Sequence, residues 1–155
     1  MVKIAFLFPG QGSQVVGMAK EFYNSSLESR KLFDQAAAVL GFDIADLCFN
    51  GPSDKLMLTE NAQPALLIHS TIALNMLREN GINAVMAAGH SLGEYSANVA
   101  SGSIKFLDAV RLVQLRGRFM QEAVPVGVGG MAAVIGISLD NVRSVSYTHL
   151  RAHET

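Results

Sequence analysis

Cysteine and charge are both scarce in this chain. Its one cysteine, Cys48, cannot form an internal disulfide, and it has no cysteine neighbours at metal-ligand spacing, which indicates a reducing compartment. The 12 basic and 13 acidic side chains leave a net charge of −1, without any basic run. The sequence therefore excludes a disulfide scaffold and gives no electrostatic footprint for a nucleic-acid partner.

Long hydrophobic runs are missing as well. The N-terminal apolar run, residues 2–8, is too short for a signal peptide or a membrane span, and it ends at Pro9-Gly10. We therefore expect a cytoplasmic chain with no membrane partner. We find no internal repeats, and 155 residues with 50% hydrophobic content suit one soluble globular domain with a substantial core.

The sequence does contain alternating strand and helix signals. The almost continuous apolar run of residues 2–8 is typical of a parallel strand covered on both faces, and a glycine-rich loop, residues 9–14, follows it. Apolar spacing and Gly and Pro signals predict helices over 28–40, from 59–61 to 80–81 and over 103–121, and strands just before Gly89 and over 131–137. This order predicts an α/β fold with a doubly wound parallel sheet and a site at the carboxyl ends of its strands.

A serine follows the second strand in the frame Gly89-His90-Ser91-Leu92-Gly93. The glycines let the chain turn sharply from strand to helix and hold the Ser91 hydroxyl clear of the backbone, as in a nucleophile elbow. The Leu92 amide would then donate to a developing oxyanion, and the loop that contains Gln11 would supply a second amide. Alternatively, the serine merely caps a helix.

Four segments together resemble the malonyl-CoA:acyl carrier protein transacylases: Phe8-Pro9-Gly10-Gln11-Gly12-Ser13-Gln14, Gly89-His90-Ser91-Leu92-Gly93-Glu94, Arg116-Gly117-Arg118-Phe119-Met120-Gln121 and Met131-Ala132-Ala133-Val134. The resemblance covers residues 1 to about 143, and four motifs in order at compatible separations are highly specific. It implies an α/β-hydrolase-like parallel sheet with a nucleophile elbow, followed by a small ferredoxin-like subdomain. Both subdomains would be truncated here.

The resemblance implies a ping-pong acyl transfer in fatty acid biosynthesis. Ser91 takes malonyl from malonyl-CoA as an ester and passes it to the phosphopantetheine thiol of holo acyl carrier protein. The amides of Gln11 and Leu92 hold the oxyanion. Arg116 pairs with the free malonyl carboxylate, which suits a planar guanidinium. No cofactor is implied, since malonyl-CoA is a substrate, and we expect the full-length parent to be a monomer.

The resemblance also implies that Gln63 and His90 line the substrate pocket. By residue type alone, Gln63 is an ordinary polar side chain of a first helical turn, and Arg116 has equivalent candidates in Arg111 and Arg118. His90 adjoins the serine, but adjacent side chains at a tight turn point in different directions. We therefore interpret His90 as a pocket wall and not as a general base.

Other interpretations have less support. The glycine-rich loop lacks the Gly-Lys-Ser/Thr ending of a P-loop and the third glycine of a dinucleotide fingerprint. His149 and His153 have helical metal-ligand spacing but no third ligand, so we expect no metal. His69 lies in an apolar helix, where a core histidine is expected. The alternative function is a serine esterase or thioesterase with the same elbow.

The C-terminal part departs from the family, whose general base is a histidine farther downstream of the serine than this chain extends. Residues 144–155 match one reading frame of the transposase adapter used for short-read sequencing libraries, so we expect them to be non-native. Residues 1–130 would then belong to the large subdomain and 131–143 would start the small one, with Ser138 as a helix N-cap. We expect an inactive fragment that is poorly soluble or only partly folded, because missing strands would expose apolar faces.

Overall fold

The computed structural model describes residues 3–124, 127–128 and 134–146. The chain divides into two compact units, residues 1–123 and 124–155. The described elements of the first unit are β1 (Ala5–Phe8), α1 (Lys20–Ser25), α2 (Leu27–Leu40), α3 (Ile44–Asn50), α4 (Ser53–Met57), α5 (Thr59–Glu79), β2 (Met86–Gly89), α6 (Gly93–Ser101) and α7 (Phe106–Ala123). The second unit contributes α8 (Leu139–Val145).

Strands β1 and β2 form a parallel pair. Ala5 is in register with Met86, and Phe8 with Gly89. The backbone N–H of His90 continues the ladder by donating to the Phe8 carbonyl at 3.2 Å. Both strands therefore end at the same edge, and the predicted α/β class with a parallel sheet is confirmed.

The prediction that β1 is covered on both faces is wrong for the described residues. Helices α5 and α6 pack on one side of the sheet. On the other side Leu7 and Met86 are 79% and 65% exposed, because no layer of the first unit's described residues covers them. The strand is also shorter than predicted, since the described residues Lys3 and Ile4 lie outside it.

The predicted helices are confirmed with small shifts, since α2 begins one residue earlier than predicted and α7 ends two residues later. Helix α2 begins after the N-cap Ser26 and ends at Gly41, whose φ of 79° places it in the left-handed region. Helix α5 keeps Pro64 in its first two turns and ends at Asn80. Helix α7 begins three residues later than predicted, because the backbone N–H of Ser103 still donates to the Asn98 carbonyl at the end of α6.

The core of the first unit is built around α5. Residues 62–68 of this helix are all buried, because α2, α6 and α7 pack around it. Its largest enclosed apolar side chains are Phe33, Ile44, Leu56, Leu67, Ile68, Ile72, Leu92, Val110 and Val113. Among the described residues, none of the helices combines the length and apolar composition needed to cross a bilayer.

The second unit confirms one prediction and corrects another. Ser138 caps α8 by accepting a hydrogen bond from the Asn141 backbone N–H at 3.3 Å. The predicted strand over 131–137 falls partly outside the described residues. Its described remainder, 134–137, forms no strand, and Gly136 has a φ of 85° that extended chain does not adopt. His149 and His153 also lie outside the described residues.

Candidate functional site

Ser91 lies in a sharp turn, residues 89–93, that joins β2 to α6. Its φ of 53° is in the left-handed region, which is unfavourable for a residue with a side chain and is found most often at functional sites. A Cβ on Gly89 would lie 1.9 Å from the carbonyl carbon of Gly93, and one on Gly93 would lie 2.3 Å from the Phe8 oxygen. The turn therefore requires glycine at both positions, as the sequence predicted.

The glycine-rich loop packs directly against this turn. A Cβ on Gly10 would lie 2.7 Å from His90 Nδ1 and 2.8 Å from the His90 carbonyl oxygen. The Gln11 side chain donates from Nε2 to Thr59 Oγ1 at 3.3 Å, which ties the loop to the start of α5. The structure thus brings the Gln11 loop and the serine turn together, with His90 in close contact with Gly10.

The backbone amides of Leu92 and Gln11, predicted to hold an oxyanion, differ from most backbone amides of the helices in having no acceptor among the described residues. Leu92 is the N-cap residue of α6, where backbone N–H groups have no partner within the helix. Within the described part of the chain, neither amide donates a hydrogen bond to a protein acceptor. The partial positive charge at the N-terminus of α6 also favours a negatively charged group at this place.

Arg116 on α7 reaches the serine. Its Nη2 donates to Ser91 Oγ at 2.9 Å, and its Nη1 donates to Gln63 Oε1 at 2.7 Å. Arg111 and Arg118 instead pair with exposed carboxylates of their own helix, at 3.2 Å and 3.6 Å. The structure therefore distinguishes Arg116 from the two arginines that residue type alone left equivalent.

Gln63 is fully buried in α5 and uses both ends of its amide. While Oε1 accepts from Arg116, Nε2 donates to Met120 Sδ at 3.4 Å. The reverse orientation would turn the amide N–H groups toward the donors of the guanidinium, so the two contacts define the direction of the amide. Gln63 therefore acts as a support for Arg116.

Helix α7 can approach α5 this closely because residue 117 is glycine. A Cβ there would lie 2.6 Å from both the Cα of Glu60 and the carbonyl oxygen of Thr59. The sequence analysis missed this role. The available signal was a glycine inside a helical pattern, where it is less favourable than alanine by about 1 kcal/mol.

Tyr95 completes the surroundings of the guanidinium. The Cζ of Arg116 lies 5.8 Å from the centre of the Tyr95 ring, within the range of a cation–π contact. Tyr95 lies in the first turn of α6, the helix that follows the serine turn. Sequence reasoning also missed Tyr95 and Met120. A signal was available for Met120, which follows Arg116 by four residues on α7.

Two other reactive side chains have pKa values shifted by burial. Burial raises the pKa of the Cys48 thiol to about 12, with a smaller contribution from Asp43, so this core thiol stays protonated. Burial lowers the pKa of His69, whose ring stands edge-on to Phe22 at 5.6 Å between centres. Among the described residues, no group of three or more His, Cys, Asp or Glu side chains could hold a metal ion.

Comparison with known proteins identifies the family. Residues 5–146 match the acyl transferase domain. The chain is 51% identical over 146 residues to the malonyl CoA-acyl carrier protein transacylase of Bacillus subtilis (strain 168), covering 94% of this chain and 46% of that protein. The chain thus spans about half the length of the curated relatives it matches.

Solved structures agree with this match. The malonyl CoA-acyl carrier protein transacylase of Clostridium perfringens superposes with a TM-score of 0.83 at 44% identity, over 94% of this chain and 46% of that one. A malonyl-transacylase in complex with its type II PKS acyl-carrier protein gives 0.86 at 41% identity, over 94% and 48%. The matched family, the sequence identity and the shared fold agree, and this chain belongs to the acyl transferase domain family.

Proposed function

We propose that this chain is the N-terminal half of a malonyl-CoA:acyl carrier protein S-malonyltransferase that serves fatty acid biosynthesis. The observation that carries the proposal is the 2.9 Å contact between Ser91 Oγ and Arg116 Nη2. It places a group able to attack an acyl carbon beside a cation able to bind the far carboxylate of a short dicarboxylic acyl group. The related transacylases carry the same activity in their names.

The proposed reaction has two displacement steps. Ser91 Oγ loses its proton and attacks the thioester carbon of malonyl-CoA, the carbon–sulfur bond breaks, and coenzyme A leaves as a thiol after taking up a proton. The phosphopantetheine thiol of holo acyl carrier protein then attacks the serine ester. The carbon–oxygen bond breaks, and Ser91 regains its proton. No cofactor is needed, because the serine oxygen itself carries the acyl group.

Arg116 supplies acyl selectivity in this proposal. In the described part of the chain, none of the carboxylates lies within 4.0 Å of its guanidinium. Its charge is therefore available to the substrate. A malonyl carboxylate would form two parallel hydrogen bonds with the planar guanidinium, whereas a neutral acetyl group would form none.

The oxyanion of each tetrahedral intermediate would lie between the amides of Leu92 and Gln11. Leu92 stands at the start of α6, and the loop carrying Gln11 packs against the serine turn through Gly10 and His90. Donors that are already in place stabilise developing negative charge without reorganisation. Gln63 and His90 complete the proposed pocket, as a support for Arg116 and as a wall.

The rest of the machinery is proposed to lie downstream in the full-length parent. A histidine there would accept the proton of Ser91, and the remaining strands would complete an α/β-hydrolase-like sheet and a ferredoxin-like subdomain. Ser91 accepts a hydrogen bond from Arg116 in this chain, and a guanidinium cannot serve as a base. We therefore expect the 155-residue chain to be inactive.

Intact-mass spectrometry after incubation with malonyl-CoA tests the proposal. The samples are this chain, the full-length parent recovered by resequencing the source locus, and the Ser91→Ala variant of the parent. We expect only the unsubstituted parent to gain one malonyl group, and we expect holo acyl carrier protein to remove it. A parent that gains no Ser91-dependent malonyl group would contradict the proposal.

The same experiment separates a transferase from an esterase or thioesterase. An esterase would accept acetyl-CoA as readily as malonyl-CoA, because it has no use for the Arg116 cation. Its acyl group would be released to water with no dependence on acyl carrier protein. Acyl groups that appear on the carrier protein, with a preference for malonyl, favour the transferase.

A further inference from the structure

The aromatic ring of Tyr95 faces Arg116, the cation that contacts the serine. Three groups surround the guanidinium: Gln63 Oε1 at 2.7 Å, Ser91 Oγ at 2.9 Å and the Tyr95 ring centre at 5.8 Å from Cζ. The two oxygens accept hydrogen bonds from the terminal nitrogens. The Tyr95 ring instead makes a cation–π contact, because the guanidinium lies over the face of its π-system.

The choice of an aromatic partner has an electrostatic consequence. A ring attracts a cation through its quadrupole and carries no net charge. An aspartate or glutamate at this place would hold the arginine more strongly but would compete with the carboxylate of the substrate. The ring thus restrains the guanidinium without neutralising it.

Tyr95 is itself held in place by the fold. It is half-buried and packs against the main hydrophobic core. Its backbone belongs to the first turn of α6, which begins directly after the turn that carries Ser91. The start of α6 therefore sets the position of the ring relative to the nucleophile, whereas the guanidinium reaches both from α7.

We infer that Tyr95 is a positioning residue for acyl selectivity, which restrains the Arg116 guanidinium where the carboxylate of a dicarboxylic acyl group binds. The inference rests on the proposed function, because it assumes that Arg116 receives that carboxylate. It assigns to Tyr95 no contact with the reacting atoms. Its effect should therefore appear only with substrates that carry a second carboxylate.

Steady-state kinetics of the full-length parent tests this role with malonyl-CoA and acetyl-CoA as donors. Removal of the ring in Tyr95→Leu should lower kcat/KM for malonyl-CoA by about two- to fivefold, mainly through a higher KM. The value for acetyl-CoA should stay unchanged. Tyr95→Phe keeps the ring and should behave like the unsubstituted enzyme.

Tyr23 offers a matched control, because its ring also faces a cation. The Cζ of Arg30 lies 5.7 Å from the centre of that ring, which packs edge-on against Phe33 and Phe49 in the core. Tyr23→Leu should change kcat/KM for malonyl-CoA and for acetyl-CoA by the same factor. The ratio between donors is independent of the folded fraction, so a loss of stability alone leaves it unchanged.

The positioning role of Tyr95 and the proposed function can each be overturned by a distinct result. The positioning role is overturned if Tyr95→Leu leaves the ratio of kcat/KM for malonyl-CoA to that for acetyl-CoA unchanged. It is also overturned if Tyr95→Phe changes this ratio as much as Tyr95→Leu does. If Tyr95→Leu does not fold, Tyr95→Met takes its place, since methionine fills a similar volume without a ring. An unsubstituted parent with no preference for malonyl-CoA would overturn the proposed function itself, which separates the two failures.

Discussion

Gln63 illustrates how a fully buried side chain can determine the position of a half-buried one, Arg116. An unsatisfied buried amide destabilises a fold by about 1–3 kcal/mol, so both ends of Gln63 need partners. Its oxygen accepts from the Arg116 guanidinium, whereas the acceptor of its nitrogen among the described residues is the sulfur of Met120, a weak acceptor. The stronger of the two contacts is therefore the one that holds the arginine beside the serine.

His69 gives a testable pH dependence at the residue scale. Burial lowers the pKa of His69 in the folded state below the ordinary value of 6.5, so the unfolded chain takes up its proton first. The unfolded state then binds more protons, and stability rises with pH. The contribution of neutral His69 is complete above 6.5 and is lost as the pH falls through 6.5 toward the folded-state pKa.

Thermal unfolding of the full-length parent over this pH range checks the prediction. We expect the melting temperature of the unsubstituted protein to fall more steeply below pH 6.5 than that of His69→Phe. Phenylalanine keeps a ring against Phe22 but cannot take up a proton. Parallel curves for the two proteins would show that His69 has no part in the pH dependence.

At the scale of elements, the site depends on the spacing between α5 and α7. Gln63 lies on α5 and Arg116 on α7, and the two helices meet where Gly117 faces Thr59 and Glu60. Thr59 also accepts the side-chain hydrogen bond of Gln11. The start of α5 therefore links the glycine-rich loop to the helix that carries the arginine.

Gly117→Ala should disturb this link. A Cβ at 2.6 Å from two backbone atoms of α5 forces the helices apart, because backbone cannot yield as a flexible side chain can. Overpacking of this kind destabilises a fold by about 1–3 kcal/mol, despite the better helix propensity of alanine. We expect a lower melting temperature of the full-length parent and a reduced preference for malonyl-CoA over acetyl-CoA.

Arg118→Ala is the control for that variant. Arg118 is the next residue on α7, is exposed and pairs with Glu122 on the surface at 3.6 Å. Its removal should change stability by less than about 1 kcal/mol and leave the donor preference intact. If Gly117→Ala behaved in the same way, the proposed importance of the close helix approach would be wrong.

At the scale of the whole molecule, the first unit has a large apolar surface on its sheet and on α7. Leu7, Val85 and Met86 are exposed on or beside the strands. On α7, Leu112, Leu115 and Phe119 are exposed at helical spacing along one face. Contiguous apolar surfaces of this kind promote association.

We expect the 155-residue chain to be poorly soluble or only partly folded in isolation. Size-exclusion chromatography with light scattering, followed by thermal unfolding, tests this, with the full-length parent as the reference. The parent should be a monomer with a cooperative transition. A monodisperse, cooperatively unfolding monomer of the 155-residue chain would contradict the prediction.

Local chemistry made a large part of the fold and site predictable. The glycines around Ser91 specify a tight turn, Gly41 specifies a helix end, and Ser138 specifies a helix start, because each acts within a few residues of itself. The resemblance to the family rested on something else that is local in sequence, four motifs in order at compatible separations. The parallel order of β1 and β2 followed from strand and helix signals alone.

Residue type could not distinguish the arginine that meets the serine, and the tertiary structure shows that it is Arg116, the one that the family resemblance singled out, with Tyr95 and Met120 nearby. Arg111, Arg116 and Arg118 have the same chemistry on the same helix, and the face that α7 turns toward α5 selects among them. The one-sided burial of the sheet was likewise invisible in the apolar run of β1. Turns and caps depend on neighbours along the chain, whereas these features depend on packing between segments far apart in sequence.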